Sequence, residues 1–201
     1  MNSEDMKDML LNLPEDLVRM SIKNCHIVGL HSIVIRNTNG RLTRMYLAGH
    51  DHLMYLNRHD VNVNSLGIHN HKYDIRMSKV FGHAYDVIYD YDDGAKEDYT
   101  EYAYTSNMDN EGGLANCGDI ALRYVATDLI VNHTRAASDL HTVYVPQGST
   151  AAWLINEGHR VGDISSLYIE HGVEFGRTRH ERFSDRDEII ELYTDSLSRW
   201  K

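Results

Sequence analysis

At 201 residues, with 42% apolar and 25% charged residues and only two prolines, the chain is sized and composed for one well-buried domain. A formal net charge of −10, with no run of Lys and Arg longer than a pair, excludes a nucleic acid polymer as the main partner, because a phosphate backbone demands a basic face. There is no membrane-spanning stretch, and Glu4, Asp5, Lys7, Asp8, Glu15 and Asp16 interrupt any export-type apolar core, so a cytoplasmic location with Cys25 and Cys117 as two reduced thiols is expected.

Residues 1–24 read as helical. Met6, Met9, Leu10 and Leu13 recur at helical spacing, Ser3 is available as an N-cap, and Pro14 starts a second short helix with Glu15 and Asp16 in its first turn. From Ile27 the period changes to two. His31 to Arg36 and Arg41 to Leu47 predict strands, joined as a hairpin by the turn chemistry of Asn37 to Gly40. Val80 to Tyr91 alternates Phe81, His83, Tyr85, Val87, Tyr89 and Tyr91 against Gly82, Ala84, Asp86, Ile88 and Asp90, which predicts one strand with a more lipophilic face.

Tyr99 to Thr105, Ile120 to Ala126 and Leu129 to Asn132 predict further strands, and Asn107 to Gly113 a loop. Leu140 to Val145 and Thr150 to Ile155 flank Pro146, Gln147 and Gly148 as a tight hairpin, and Ser166 to Ile169 adds a last strand. Residues 184–200 predict a closing helix with Ser184 as its cap, Asp187 and Glu188 in the first turn, and Ile189, Ile190, Tyr193 and Leu197 as one apolar stripe. The fold expected is mainly β: a jelly-roll or similar β-barrel over residues 27–170, within a single domain 1–201 bracketed by N-terminal helices and a C-terminal helix.

Histidine and tyrosine are the compositional oddity, thirteen of each. In Gly67-Ile68-His69-Asn70-His71-Lys72-Tyr73-Asp74, residues two apart on a strand point to one face, so His69 and His71 present two imidazoles toward one point. A first-row divalent ion needs a further ligand, and Asp74 nearby and His141 from far along the chain are the candidates. His50-Asp51-His52 has the same spacing but no matching partner motif, and reads as a solvated turn. His83 and Tyr85 share a strand face that would line a barrel mouth and meet substrate, or else form a satisfied core pair. Trp153 reads as core, and the acidic runs 90–93 and 185–188 as a solvated strand end and a helix N-terminus.

His69-x-His71 followed by Asp74 and Gly82, and later Asp139-Leu140-His141-Thr142-Val143, resembles the two motifs of the cupin superfamily. The nearest likeness is to bacterial and phage cupins with a His-x-His-x-x-Asp first motif, whose later histidine precedes a Trp-containing strand and a Gly-x-Arg segment. Ala151-Ala152-Trp153-Leu154 and Gly158-His159-Arg160 match those here. Cysteine dioxygenase, a three-histidine iron cupin, is a more distant likeness. The resemblance spans roughly residues 27 to 170 and implies a jelly-roll barrel holding one divalent metal through His69, His71 and His141.

The glutamate usual in the first motif falls at Ile75 or Arg76, so a ligating carboxylate has to be Asp74, either on the metal or orienting a ligand histidine from outside. The Pro-x-Gly usual shortly before the second-motif histidine is degenerate here, reading Ala136-Ala137-Ser138, and counting from Pro146 instead would place that histidine at Ala151, which cannot ligate, so the resemblance implies His141.

Three neutral imidazoles leave open positions on Fe(II), the favoured ion, or on Mn, Ni or Zn. By analogy with three-histidine cupins, the function expected is a dioxygenase-like oxidoreductase acting on a small polar molecule, with metal-dependent hydrolysis or isomerisation as other cupin chemistries. No general base is identifiable. Two further readings stand beside it: a non-catalytic cupin that binds or sequesters a small ligand or metal, and a scaffold whose terminal helices make a homodimer.

Overall fold

A computed structural model describes residues 2–25, 29–48, 67–107, 110–146, 148–173 and 181–200. The N-terminal segment forms α1 (Ser3–Leu11) and α2 (Glu15–Met20). Asn2, one residue before the expected Ser3, caps α1: its side chain accepts from the Asp5 amide while Asp5 reaches back to the Asn2 amide, a reciprocal capping box. At the other end of the chain α3 (Arg186–Trp200) is capped by Asp185, which accepts from the Glu188 amide. The predicted cap, Ser184, donates to Glu188 instead.

Between the helices the chain is mainly β. The strands are β1 (Ile22–Lys23), β2 (Leu30–Thr38), β3 (Arg41–Ala48), β4 (Ile68–His69), β5 (Tyr73–Gly82), β6 (Tyr85–Tyr91) and β7 (Tyr99–Asn107). They continue as β8 (Asn110–Ile120), β9 (Leu122–Leu129), β10 (Asn132–Arg135), β11 (Leu140–Tyr144), β12 (Ala151–Arg160), β13 (Ser165–Glu170) and β14 (Glu181–Arg182). They form two seven-stranded antiparallel sheets, the first in the order β10-β5-β12-β3-β2-β1-β14 and the second β8-β7-β13-β4-β11-β6-β9.

The hairpin over residues 30–48 forms as expected: Asn39 and Gly40 both take positive φ, as a two-residue turn matched to strand twist requires. Four other expectations are corrected. The strand expected over Leu129 to Asn132 is instead the link between β9 and β10, with Ile130 and Val131 in neither. Val80 to Tyr91 is two strands in different sheets, because Gly82 turns the chain at φ +71° where a Cβ would lie 2.1 Å from the Thr150 carbonyl oxygen. The Leu140–Val145 and Thr150–Ile155 segments do not form a hairpin, since β11 and β12 lie in different sheets. Residues 110–113, expected in a loop, extend β8, pairing with β7.

Alternation divides each strand of the first sheet between two cores. On β12, Ala152 and Leu154 turn to the helices and pack with Met6, Leu10, Ile33, Met45, Leu47, Phe81, Ile189 and Tyr193. Ala151 and Trp153 turn the other way and pack with Val143 and Val145 from around β11 and with Ala84, which places the second sheet against the inner face of the first. The helices are thus one layer and the two sheets a sandwich beneath it.

The second sheet is strongly curled. Its two edge strands, β8 and β9, are separated in the chain by Ala121 alone, although a flat seven-stranded sheet would hold its edges roughly 30 Å apart. The Ala121 carbonyl accepts from the Asp92 amide at the corner where the edges approach. Ile68, Tyr99, Leu122, Leu140 and Tyr168 pack together as a separate apolar cluster of this sheet. Among the described residues neither sheet closes into the expected barrel. None of the described helices is long and apolar enough to cross a membrane, and Cys25 (buried) and Cys117 (exposed) are free thiols.

Candidate metal centre

His69, His71 and His141 come together on the side of the second sheet that faces the first. His69 is the last residue of β4 and stands directly opposite His141 of β11, so the two are cross-strand neighbours projecting to one face. Their alternating neighbours Ile68 and Leu140 turn the opposite way into the apolar cluster. His71 arrives differently from the expectation of one strand presenting both rings. The chain leaves the second sheet at Asn70, which exchanges hydrogen bonds with Ser166, and passes to β5 of the first sheet, with His71 at the crossing. Its amide donates to the Ala137 carbonyl at 2.9 Å.

The three ring centroids form a near-equilateral triangle with sides of 4.8, 4.9 and 4.9 Å. One nitrogen from each ring lies within 4.8 Å of the other two, close enough to bind a metal ion. His141 is buried at 1% exposure, whereas His69 and His71 are half-buried, leaving their side of the cluster open to approach.

The donor set fits an ion. The Nδ1 of His69 lies 3.0 Å from the Gly67 carbonyl oxygen, which can only accept, so that nitrogen carries the proton and Nε2 keeps its lone pair. The Nδ1 of His141 lies 2.5 Å from Oδ1 of Asp86 and by the same logic leaves Nε2 as the ligating atom. The Nε2 atoms of His71 and His141 are 2.7 Å apart, a separation that two lone pairs do not tolerate without a proton or a cation between them.

Asp86 was not singled out in the sequence, and it is fully buried on β6. Its second oxygen accepts from Nε of Arg135 at 2.5 Å and lies 3.1 Å from Nε2 of His133, both on β10 at the edge of the first sheet. Arg135 in turn reaches Asp128 at 3.0 Å. Burial alone would raise the Asp86 carboxyl, but the hydrogen bond and charge of His141, followed by those of Arg135, overcome it and hold the group at about 2. The signal that could have found it is a carboxylate set between Tyr85 and Val87 at the start of a β-patterned, largely apolar segment.

The other sequence candidates sit elsewhere. Asp74, on β5, is outside the histidine group: its Oδ1 accepts from the Ala137 amide at 2.9 Å. With the His71 amide on the Ala137 carbonyl, this pins the loop that leads to His141. His83 is exposed in the turn between β5 and β6. Tyr85 is half-buried with its ring 5.9 Å from that of Tyr144, and as the neighbour of Asp86 on a strand it turns to the opposite face from the histidines. Trp153 is 2% exposed and stacks on Tyr46 at 5.8 Å, a core role. The rival pair His50 and His52 lies outside the described residues. No protein-family model matches this chain, and no curated protein matches its sequence.

Proposed function

We propose that this protein is a metal-dependent enzyme of cupin-type jelly-roll architecture, in which His69, His71 and His141 hold one divalent ion and a small polar molecule is oxidised with O₂. The observation that carries the reading is the convergence of three imidazoles from β4, the crossing after it and β11, with the His69 and His141 rings oriented from behind. The jelly-roll assignment is supported by a chain that passes repeatedly between two facing antiparallel sheets, at β4 to β5, β5 to β6 and β11 to β12. Fe(II) is favoured, and Mn, Ni and Zn suit the same donors.

Such an ion supplies Lewis acidity and, for Fe(II), access to O₂ chemistry. The chain's own contribution is to orient and to exclude water. Three neutral ligands with no carboxylate among them leave the ion's charge uncompensated, which favours an anionic or strongly polar substrate group on the open side of His69 and His71. His141 faces the interior and closes the other side.

A second reading, a non-catalytic cupin that binds a metal or a small ligand, is favoured by one observation: the carboxylate beside the cluster, Asp86, has both oxygens engaged and serves no evident proton transfer. Both readings predict stoichiometric metal in protein prepared without a histidine tag, and its loss in His69→Ala and His141→Ala; a chain that keeps no metal sinks both. Oxygen uptake by the Fe(II)-loaded protein against thiols, amino acids, sugars and nucleotide derivatives, compared with His71→Ala, then separates them. Uptake that depends on His71 supports the enzyme, and none with any compound assigns the site to binding.

A further inference from the structure

We infer that Asp86 is the positioning residue of the metal centre. It is a strut, anchored on the first sheet, that fixes which nitrogen of His141 meets the ion and how strongly that nitrogen donates. The inference rests on the metal-centre reading above and assigns a role to a residue that the cluster itself does not include.

The geometry is specific. Asp86 stands on β6 beside β11, with its alternate neighbours turned away, and its carboxylate is completely removed from solvent. One oxygen faces the Nδ1 of His141 at 2.5 Å; the other is held by the Arg135 guanidinium at 2.5 Å and faces the His133 ring at 3.1 Å. An ionised carboxylate only accepts, so His141 must present Nδ1–H to it, and the remaining nitrogen, Nε2, points into the triangle. A carboxylate that accepts from an imidazole pulls the shared proton toward itself and makes the opposite nitrogen a better donor.

The strut also spans the sandwich. Asp86 and His141 belong to the second sheet, while Arg135 and His133 belong to β10, the edge strand of the first. The fully buried charge of Asp86 is therefore compensated across the gap between sheets, and the orientation of one metal ligand depends on how the sheets pack. Arg135 is itself held by Asp128 at the end of β9, so the guanidinium is fixed rather than swinging. Asp74, the carboxylate suggested by motif spacing, bonds backbone; Asp86 occupies the place of a histidine-orienting carboxylate.

Co(II) is the probe, because its visible spectrum reports ligand number and geometry. Asp86→Asn keeps the shape and one acceptor but loses the charge. It is expected to bind Co(II) about 10- to 100-fold more weakly than the wild type, with an altered spectrum and an unchanged far-ultraviolet circular dichroism. Equal affinity and an identical spectrum in a folded variant overturn the inference and leave the three-histidine centre standing, whereas a wild type that binds neither Co(II) nor Zn(II) removes the centre itself. If Asp86→Asn does not fold, long-range ¹H–¹⁵N spectra of the Zn(II)-loaded wild type decide the matter without a variant. His141 is expected to show a slowly exchanging proton on Nδ1 and metal on Nε2, and the reverse assignment overturns the inference.

Discussion

The two sides of the first sheet are built from the same alternating strands and do opposite work. Toward the helices, Met45, Leu47, Ile33 and Phe81 meet Met6, Leu10, Ile189 and Tyr193 in a continuous apolar layer. Toward the second sheet the apolar layer gives way, beyond Ile75, Met77 and Trp153, to a polar group in which the buried Asp86 and His141 meet the half-buried Arg135 and His133. The difference shows where each free energy comes from. The helix side gains from removing apolar area from water. The other side holds ionised and hydrogen-bonding groups whose burial costs free energy unless every one is paired, and it gains by holding three rings in one orientation.

The two sides depend most on Gly82, where the chain passes from β5 of the first sheet to the turn before β6 of the second. A Cβ at this position would lie 2.1 Å from the Thr150 carbonyl and 2.7 Å from the Ala151 Cα, both backbone atoms, and φ is +71°. Gly82→Ala is expected to cost about 4 kcal/mol or more. Urea titration is the check, and a midpoint within error of the wild type would show that the crossing relaxes freely. Leu47→Ala tests the helix side alone. Leu47 is fully buried in the apolar layer, so the loss should be about 2 to 5 kcal/mol. Co(II) stoichiometry at low temperature is expected to stay unchanged, and a parallel loss of metal would mean that the two sides are not separable.

Much of the architecture was legible because it rests on local rules. Period-two patterning gave most of the strands, Asn39-Gly40 marked its hairpin by turn chemistry, and the terminal helices announced themselves by apolar spacing and acidic first turns. Sheet membership was not legible. Sequence pattern alone does not say that β5 and β6 part at Gly82 into different sheets, since what Gly82 accommodates is the close approach of the backbone at residues 150 and 151, far along the chain. The same limit shaped the site. His69 and His71 were visible as a pair and His141 through its motif, but the His69–His141 pairing is a cross-strand register. Asp86 is hidden in the sequence because one continuous strand over Val80 to Tyr91 puts His83 and Tyr85 on the lipophilic face and Asp86 on the other. The contact that matters lies on the other face, with partners on β11 and β10.

The smallest expected effect tests whether the polar side also contributes stability. A carboxyl whose folded pKa is depressed stabilises the fold above its unfolded value, and that contribution disappears as pH falls through the folded value. For Asp86 the folded value is about 2, against about 3.9 in an unfolded chain. The stabilisation should therefore be complete above about pH 5 and drain away mostly between pH 4 and 2, amounting to about 2 kcal/mol. Measured by urea unfolding in the presence of a chelator, so that metal linkage does not enter, the wild type should lose this increment over that window. Asp86→Asn, which carries no titrating group there, should be less stable at pH 7 and show a correspondingly shallower decline. Parallel curves for the two proteins would mean that the cost of burying Asp86 consumes what His141 and Arg135 return, leaving orientation of the histidine as the only gain from placing a charge there.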